Sequence, residues 1–398
     1  MKKIVGCVSA VLLVIGVLSP PDATGGSLAA VKQMIGRQDA ILVTDPAGRV
    51  LVSKNDNRLL VPASTLKVFT ALVALDTLGP DYRFTTEFYR DDNDNLTIKG
   101  YGDPGLVSEV LADIARHLAR DLPHVNDIIL DASYFAQPLV IPGISTSTEP
   151  YDAPNGALCV NFNTVSFKRE NGAYSSAEPQ TPLLPVVLGR IASTGLSEGR
   201  IVLSHAQDEI TLYGGHLFGH FLRQCGVSVT GTIATGTVRA GRDCLVYRHQ
   251  SPLTLSETIA QLLTFSNNFT TNQILIAAGA RRYGPPGTLE KGVRAAREYA
   301  RDVLKLKDLH ISEGSGISRD NRVTARDMHK VLDAFAPHHT LMRREGRQYY
   351  KTGTLRGIST RAGYIERPDG TLYRFVVLIN SPGRSAEQVT RRLIQSME

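Results

Sequence analysis

Ser64-Thr65-Leu66-Lys67 opens an apolar run, Val68, Phe69, Leu72, Val73 and Leu75, that ends at Gly79-Pro80. The spacing predicts a helix with Ser64 and Lys67 on one face, because residues three apart are neighbours on a helix. This is the only Ser-x-x-Lys in the chain. A serine hydroxyl attacks poorly at neutral pH without an adjacent base. A lysine serves as that base only when neutral, and burial or a second cation lowers its pKa. The apolar run supplies the burial. Alone, the tetrapeptide is an ordinary helix start.

Two later stretches supply what the first lacks. Ser266-Asn267-Asn268 interrupts an apolar segment, Ile259 to Ala278, whose first helix is predicted to start at a Thr254-x-x-Glu257 capping box. Adjacent asparagines compete for backbone hydrogen bonds and break the helix, which turns Ser266 and Asn268 toward a cleft. Lys351-Thr352-Gly353-Thr354 follows Tyr349-Tyr350 and reads as a strand. There Gly353 permits close approach of another backbone, while Lys351 and Thr352 offer a cation and a hydroxyl to a carboxylate. The expected roles are Ser64 as nucleophile, Lys67 as base, Ser266 as proton donor to a leaving amine and Asn268 as a substrate amide partner. The backbone N–H groups of Ser64 and Thr354 are the candidate oxyanion donors. A second Ser-x-Asn, Ser53-Lys54-Asn55, lies between strand-like runs and reads as a turn.

In this order the three motifs form a known catalytic signature, and the sequence resembles the class C low-molecular-mass penicillin-binding proteins, the D-Ala-D-Ala carboxypeptidase/endopeptidase family. The separation of 202 positions from Ser64 to Ser266 exceeds the gap of compact β-lactamases. Gly102-Asp103-Pro104, Glu313 to Asn321, and Ala362-Gly363-Tyr364 extend the resemblance over nearly the whole mature chain. It implies a penicillin-recognising serine transpeptidase-like fold, peptidoglycan stem peptides as substrate, β-lactams as acylating inhibitors, and no metal or organic cofactor. Two positions depart from the family: Asn267 stands where aspartate is usual, and the loop Pro142 to Tyr151 is Ser/Thr-rich, with Glu149 its only acid. Some members hold the diamino acid of the stem peptide with an aspartate in that loop. Two other functions remain to be separated from a D,D-peptidase: a β-lactamase, opposed by the long insertion and the lack of a Glu-x-x-x-Asn element, and a non-catalytic wall-binding protein, opposed by intact Ser64, Lys67, Ser266 and Lys351.

At 398 residues the chain suits more than one domain. Lys2-Lys3 and the apolar run Ile4 to Leu18 read as a secretory signal, residues 1–25, with Ala23-Thr24-Gly25 before the cleavage point. A periplasmic or extracytoplasmic location without a permanent membrane anchor follows. The formal charge of +6 is mildly basic, and no basic run interleaved with aromatics points to nucleic acid. Removing the leader, and Cys7 with it, leaves Cys159, Cys225 and Cys244, read as buried free thiols, with a Cys225–Cys244 bridge as the alternative.

The expected architecture is α/β (α+β). Strands Gln38 to Thr44, Arg49 to Ser53, Lys351 onward, Thr360 to Glu366 and Thr371 to Asn380 form one antiparallel sheet between helical layers. The catalytic domain comprises 26–83 and 248–398. Residues 84–247 form an inserted β-rich region containing two helices, Val107 to Ala119 and His216 to Cys225. It also holds a strand from Val227 to Gly236 and an irregular stretch from Ser133 to Pro185. Within it, Asp91 to Asn95 reads as a hairpin turn rather than a calcium loop, and His216 and His220 as structural histidines. Ser315, between two glycines, either lines the cleft or serves only a tight turn.

Overall fold

The structure, a computed structural model, describes residues 23–397. The basic and apolar leader from Lys2 to Leu18, and Cys7 within it, lie outside the described residues. Ala23-Thr24-Gly25 falls in the first described helix, Ala23–Gln33.

A six-stranded sheet carries the site. Its order is Arg343–Glu345, Gln348–Leu355, Ile358–Glu366, Leu372–Ile379, Asp39–Thr44, Val50–Lys54, and every neighbouring pair is antiparallel. The inner strands are apolar at successive positions because both faces are covered. Alternation sends Ile41, Val43, Phe375 and Val377 to one face, against Val31 and Ile35 and the Ala386–Gln395 helix. It sends Ala40, Leu42, Val376 and Leu378 to the other, against Phe69 and Leu72 of the Lys67–Leu78 helix and Val331 of the Ala325–Phe335 helix. This is the expected antiparallel sheet between helical layers, with Arg343–Glu345 as an additional edge strand.

A second sheet occupies the middle of the chain. Its order is Ile233–Thr235, Ile128–Asp131, Leu96–Gly100, Thr85–Arg90, Cys244–Gln250. The first two pairings are parallel and the last two antiparallel. Helices Ser108–Leu118 and Gln207–Gln224 bury Leu111, Ile114, Leu217 and Phe218 against Phe88, Ile98 and Leu130 in a core of its own. Thr85 pairs with Gln250, and Ser251 N donates to Phe84 O at 2.8 Å, so the chain leaves and re-enters the six-stranded part at adjacent points. The 247/248 boundary falls inside the Cys244–Gln250 strand.

Several local expectations are corrected. The stretch read as irregular contains a hairpin, Thr164–Glu170 with Ala173–Ser176, turning on Asn171 (φ 50°) and Gly172 (φ 83°). The region holds a third helix, Pro185–Thr194. The His216 helix begins earlier, at Gln207. Gly214-Gly215 disguises it: a Cβ on Gly215 would stand 2.5 Å from Ile233 and 2.7 Å from Leu130, so the helix packs on the sheet only with glycine there. Val227 to Gly236 is two short strands, Ser228–Val229 and Ile233–Thr235, each parallel to a different partner. Of the three cysteines only Cys159 is buried; Cys244 is exposed, Cys225 is intermediate, and neither is bridged.

Candidate active site

Ser64 lies in a 3-10 turn, Ala63–Leu66, that runs into the Lys67–Leu78 helix. Ala63 has φ 47°. The turn is held from two sides: Thr65 Oγ1 and Thr360 Oγ1 both donate to Pro62 O at 2.7 Å. Gly353 lies against it so closely that a Cβ there would stand 2.7 Å from Ser64 N and 2.3 Å from Thr360 Oγ1, so any side chain would push strand and turn apart. Thr360 is the register partner of Gly353.

Lys67 is fully buried. Its Nζ has three oxygen neighbours: Ser64 Oγ at 2.9 Å, Asn268 Oδ1 at 2.7 Å and Ser315 O at 2.7 Å. Asn268 Nδ2 donates to Tyr151 O at 3.4 Å, which fixes its amide with the oxygen toward Lys67. Burial pushes Lys67 well below the ordinary lysine range, the Lys351 ammonium pushes it the same way, and the Glu313 carboxylate pulls back.

The Thr254 capping box forms as predicted and stabilises the Leu255–Phe265 helix by about 1 kcal/mol. That helix ends at Ser266, which takes left-handed backbone angles (φ 60°, ψ 35°), and Asn267 caps the next helix, Asn268–Tyr283, by accepting from Thr270 N at 2.9 Å. The break therefore combines a left-handed serine with an asparagine cap. Lys351 Nζ donates to Ser266 Oγ at 2.8 Å and to Thr352 O at 2.9 Å. Its pKa is lowered to about 8, by burial first and by the Arg343 guanidinium second. Alternation along Gln348–Leu355 buries Lys351 and Gly353 and leaves Thr352 and Thr354 exposed. A cleft of about 390 Å³ is lined by Ser64, Tyr151, Ser266, Asn268, Ile317, Thr354, Leu355 and Arg356. Seven of the eight expected site residues therefore come together at the junction of these helices with the sheet edge, and the side chain of the eighth, Thr352, stands on the opposite face of its strand from Lys351 and Gly353.

Sequence reasoning left Glu313 without a role. It is fully buried and accepts from Asn272 Nδ2 (3.0 Å), Asn321 Nδ2 (2.7 Å), Ser315 Oγ (2.6 Å) and the N–H groups of Ser315 and Gly316 (both 2.7 Å). This network orients the Ser315 carbonyl at Lys67. Ser315 is fully buried and does not line the cleft: its side chain secures the turn, the second of its two readings, and its carbonyl accepts from Lys67 Nζ. In the loop before the cleft, Asp152, one residue past the quoted stretch, is buried and accepts from Ser145 Oγ (2.5 Å) and Ser147 Oγ (2.6 Å), so that acid is engaged within the loop. Glu149 is exposed and Tyr151 lines the cleft. Asp91 accepts from Asn93 N and Asn95 N in a hairpin turn, and His216 and His220 lie together on the Gln207–Gln224 helix.

The profile of the D-Ala-D-Ala carboxypeptidase 3 (S13) family matches residues 27–187 and 186–345. The chain belongs to this family. The matched segments include Ser64, Lys67, Ser266, Asn268 and Glu313; Lys351 to Thr354 lie just beyond them. The S13 chain is 27% identical to the D-alanyl-D-alanine carboxypeptidase of Actinomadura sp. (strain R39), over 88% of this chain and 81% of that one. It is 22% identical to the D-alanyl-D-alanine carboxypeptidase DacB of Haemophilus influenzae, over 83% of each. Its fold matches the crystal structure of penicillin binding protein 4 from Haemophilus influenzae with a TM-score of 0.76 at 18% identity, over 93% of this chain and 99% of that one. A penicillin G-acylated predatory endopeptidase from Bdellovibrio bacteriovorus matches at a TM-score of 0.56 and 16% identity, over 89% and 91%. The S13 fold is thus the penicillin-recognising serine hydrolase fold anticipated from the motifs.

Proposed function

We propose that this S13 peptidase is an exported D-alanyl-D-alanine carboxypeptidase and endopeptidase of peptidoglycan stem peptides, working through a Ser64 acyl-enzyme that penicillin also forms. The observation that carries this reading is the surroundings of Lys67 Nζ. Asn268 Oδ1 and the Ser315 carbonyl can only accept. A neutral amine with its two N–H bonds on these acceptors turns its lone pair to Ser64 Oγ, the one neighbour able to give up a proton. Burial and Lys351 favour that neutral form.

In the mechanism, Lys67 takes the Ser64 proton as Oγ attacks the carbonyl carbon of the penultimate D-alanine. Ser64 N and Thr354 N hold the oxyanion. Ser266, bonded to Lys351, passes a proton to the leaving nitrogen as the C–N bond breaks. Thr352, Thr354 and Lys351 receive the terminal carboxylate. Water then cleaves the ester. Among the described residues that line the cleft there is no carboxylate, which supports slow release of a penicilloyl group and weighs against a β-lactamase. Residues 84–247 are read as an inserted domain whose loop, Pro142 to Tyr151, adjoins the substrate.

The test is incubation of the purified protein with benzylpenicillin, followed by intact-mass measurement, and separately with muropeptide monomers and cross-linked dimers. A stoichiometric adduct with loss of terminal D-alanine or of dimers supports the reading. Absence of both adduct and cleavage removes it.

A further inference from the structure

Behind the Lys-Thr-Gly strand lies a second cavity, of about 480 Å³. The strand's alternation creates it: Lys351 and Gly353 face the nucleophile's helix, whereas Thr352 and Thr354 stand on the opposite face. Thr354 lines both this cavity and the cleft that holds Ser64, so the two adjoin at that residue. Arg361, the register partner of Thr352, forms the floor. It is only 6% exposed, its guanidinium stacks 3.6 Å from the Tyr350 ring, and among the described residues its Nε has no hydrogen-bond partner. Arg343 stands exposed at the rim.

Two carboxylates also line the cavity, and both are engaged. Glu345 accepts from the Tyr350 hydroxyl and lies 3.7 Å from Arg361; Glu387 pairs with Arg391 at 2.7 Å. Hydroxyls from Ser359 and Ser385 complete the wall. A buried guanidinium with an unpaired N–H is costly unless something accepts from it, and planar guanidinium groups suit carboxylates. The cavity therefore has the chemistry of an anion receptor, and its volume lies in the usual range of about 300–1,000 Å³ for small-ligand sites. Thr352 and Thr354, which the proposed mechanism places on the terminal α-carboxylate, also line the cavity, so a side chain longer than the methyl group of D-alanine has room to extend further into it.

We propose that this cavity receives the side chain of the leaving D-amino acid and favours one that carries a carboxylate. The inference rests on the Ser64 acyl-transfer reading and deepens it: a leaving group that continues past its own α-carboxylate is what cutting a cross-link requires, whereas D-alanine has no side chain long enough to extend to Arg343 and Arg361.

The test uses the full mature chain and N-acylated dipeptides of the form acyl-D-Ala-D-Xaa, with alanine, glutamate or lysine as Xaa. Released D-amino acid gives kcat/KM for each. Arg343 is the residue to change, since Arg361 is buried and its loss risks the fold. We expect the glutamate-to-lysine ratio to exceed tenfold in the native protein, to fall at least fivefold in Arg343→Ala and to invert in Arg343→Glu, with Arg343→Lys retaining most of the preference. A ratio near one in the native protein, or one unmoved in both Arg343→Ala and Arg343→Glu, overturns the subsite. Failure of the native protein to release any D-amino acid or to take up penicillin overturns the acyl-transfer reading as well, so the two failures are distinguishable.

Discussion

Thr360 Oγ1 donates to Pro62 O at 2.7 Å, tying the strand beside Lys-Thr-Gly to the residue two before the nucleophile. The bond spans 298 positions of sequence. With Gly353 packed on Ser64 N, it holds the Ser64 turn against the Gln348–Leu355 strand, the strand proposed to receive the substrate. Thr360 is a positioning residue. Thr360→Val keeps the shape and removes the bond, a loss of about 0.5–1.5 kcal/mol. Acylation by penicillin should slow roughly 2- to 12-fold, with KM for peptide nearly unchanged. A wild-type acylation rate in a variant whose melting temperature shows the loss would assign Thr360 to stability alone.

Ser64→Ala should abolish the penicillin adduct. Lys67 keeps Asn268 Oδ1 and the Ser315 carbonyl in that variant, so the fold should persist with a melting temperature close to the native one. Intact-mass spectrometry of the drug-treated variant reads the result directly, and a surviving adduct would move the nucleophile elsewhere.

The motif residues were legible because each set is local. Ser64 and Lys67 sit one turn apart, Lys351 to Thr354 lie on one strand, and the Thr254 box announces the helix that delivers Ser266. Asn268 gave its position but not its task of holding a lysine hydrogen, since Tyr151 O, which fixes its amide, arrives from the middle of the chain. Glu313 was quoted as part of a recurring stretch and its work went unread, because that depends on Asn272 and Asn321, gathered only by the fold. The Asn171-Gly172 hairpin carried a clear turn signal that the surrounding proline and serine content outweighed. The Gln207 helix was shortened by its two glycines, of which Gly215 packs closely on Leu130 and Ile233.

The pH profile follows from two depressed lysines. In the proposed mechanism Lys67 acts only when neutral, and its pKa is lowered by burial and by Lys351. Acylation therefore rises with pH through the Lys67 pKa. In the same mechanism Lys351 receives the carboxylate only when charged, and its pKa is lowered to about 8, so activity should fall as pH rises past about that value. The kcat/KM profile for peptide should be bell-shaped with its alkaline limb near pH 8. Lys351→Ala removes a charge-assisted bond of about 1.5–3 kcal/mol, a loss of at least about tenfold. It should also erase the alkaline limb and shift the acid limb to higher pH, because Lys67 loses a repelling neighbour. An alkaline limb that survives in Lys351→Ala would assign it to another group.

The loop over the cleft offers the sharpest separation of substrate choice from chemistry. Tyr151 lines the cleft beside Ser64, while Ser145 and Ser147 are held by Asp152. Glu149, the only acid of the Pro142 to Tyr151 stretch, is exposed and outside the cleft lining. The loop residue placed to meet a long substrate is thus Tyr151, and the acid that holds the loop's shape is Asp152. Tyr151→Ala keeps the backbone carbonyl that orients Asn268 and removes only the ring. Its kcat/KM should change at least about fivefold, roughly 1 kcal/mol, between stem peptides differing at the third residue, with penicillin acylation within about twofold. Asp152→Ala should lower discrimination in the same assay by releasing Ser145 and Ser147. Glu149→Gln should leave it unmoved, since nothing ties that side chain to the cleft. Equal losses toward peptide and penicillin in Tyr151→Ala would mean instead that the ring supports the Ser266–Asn268 turn, and substrate choice would then have to be sought at Ile317 and Arg356 across the cleft.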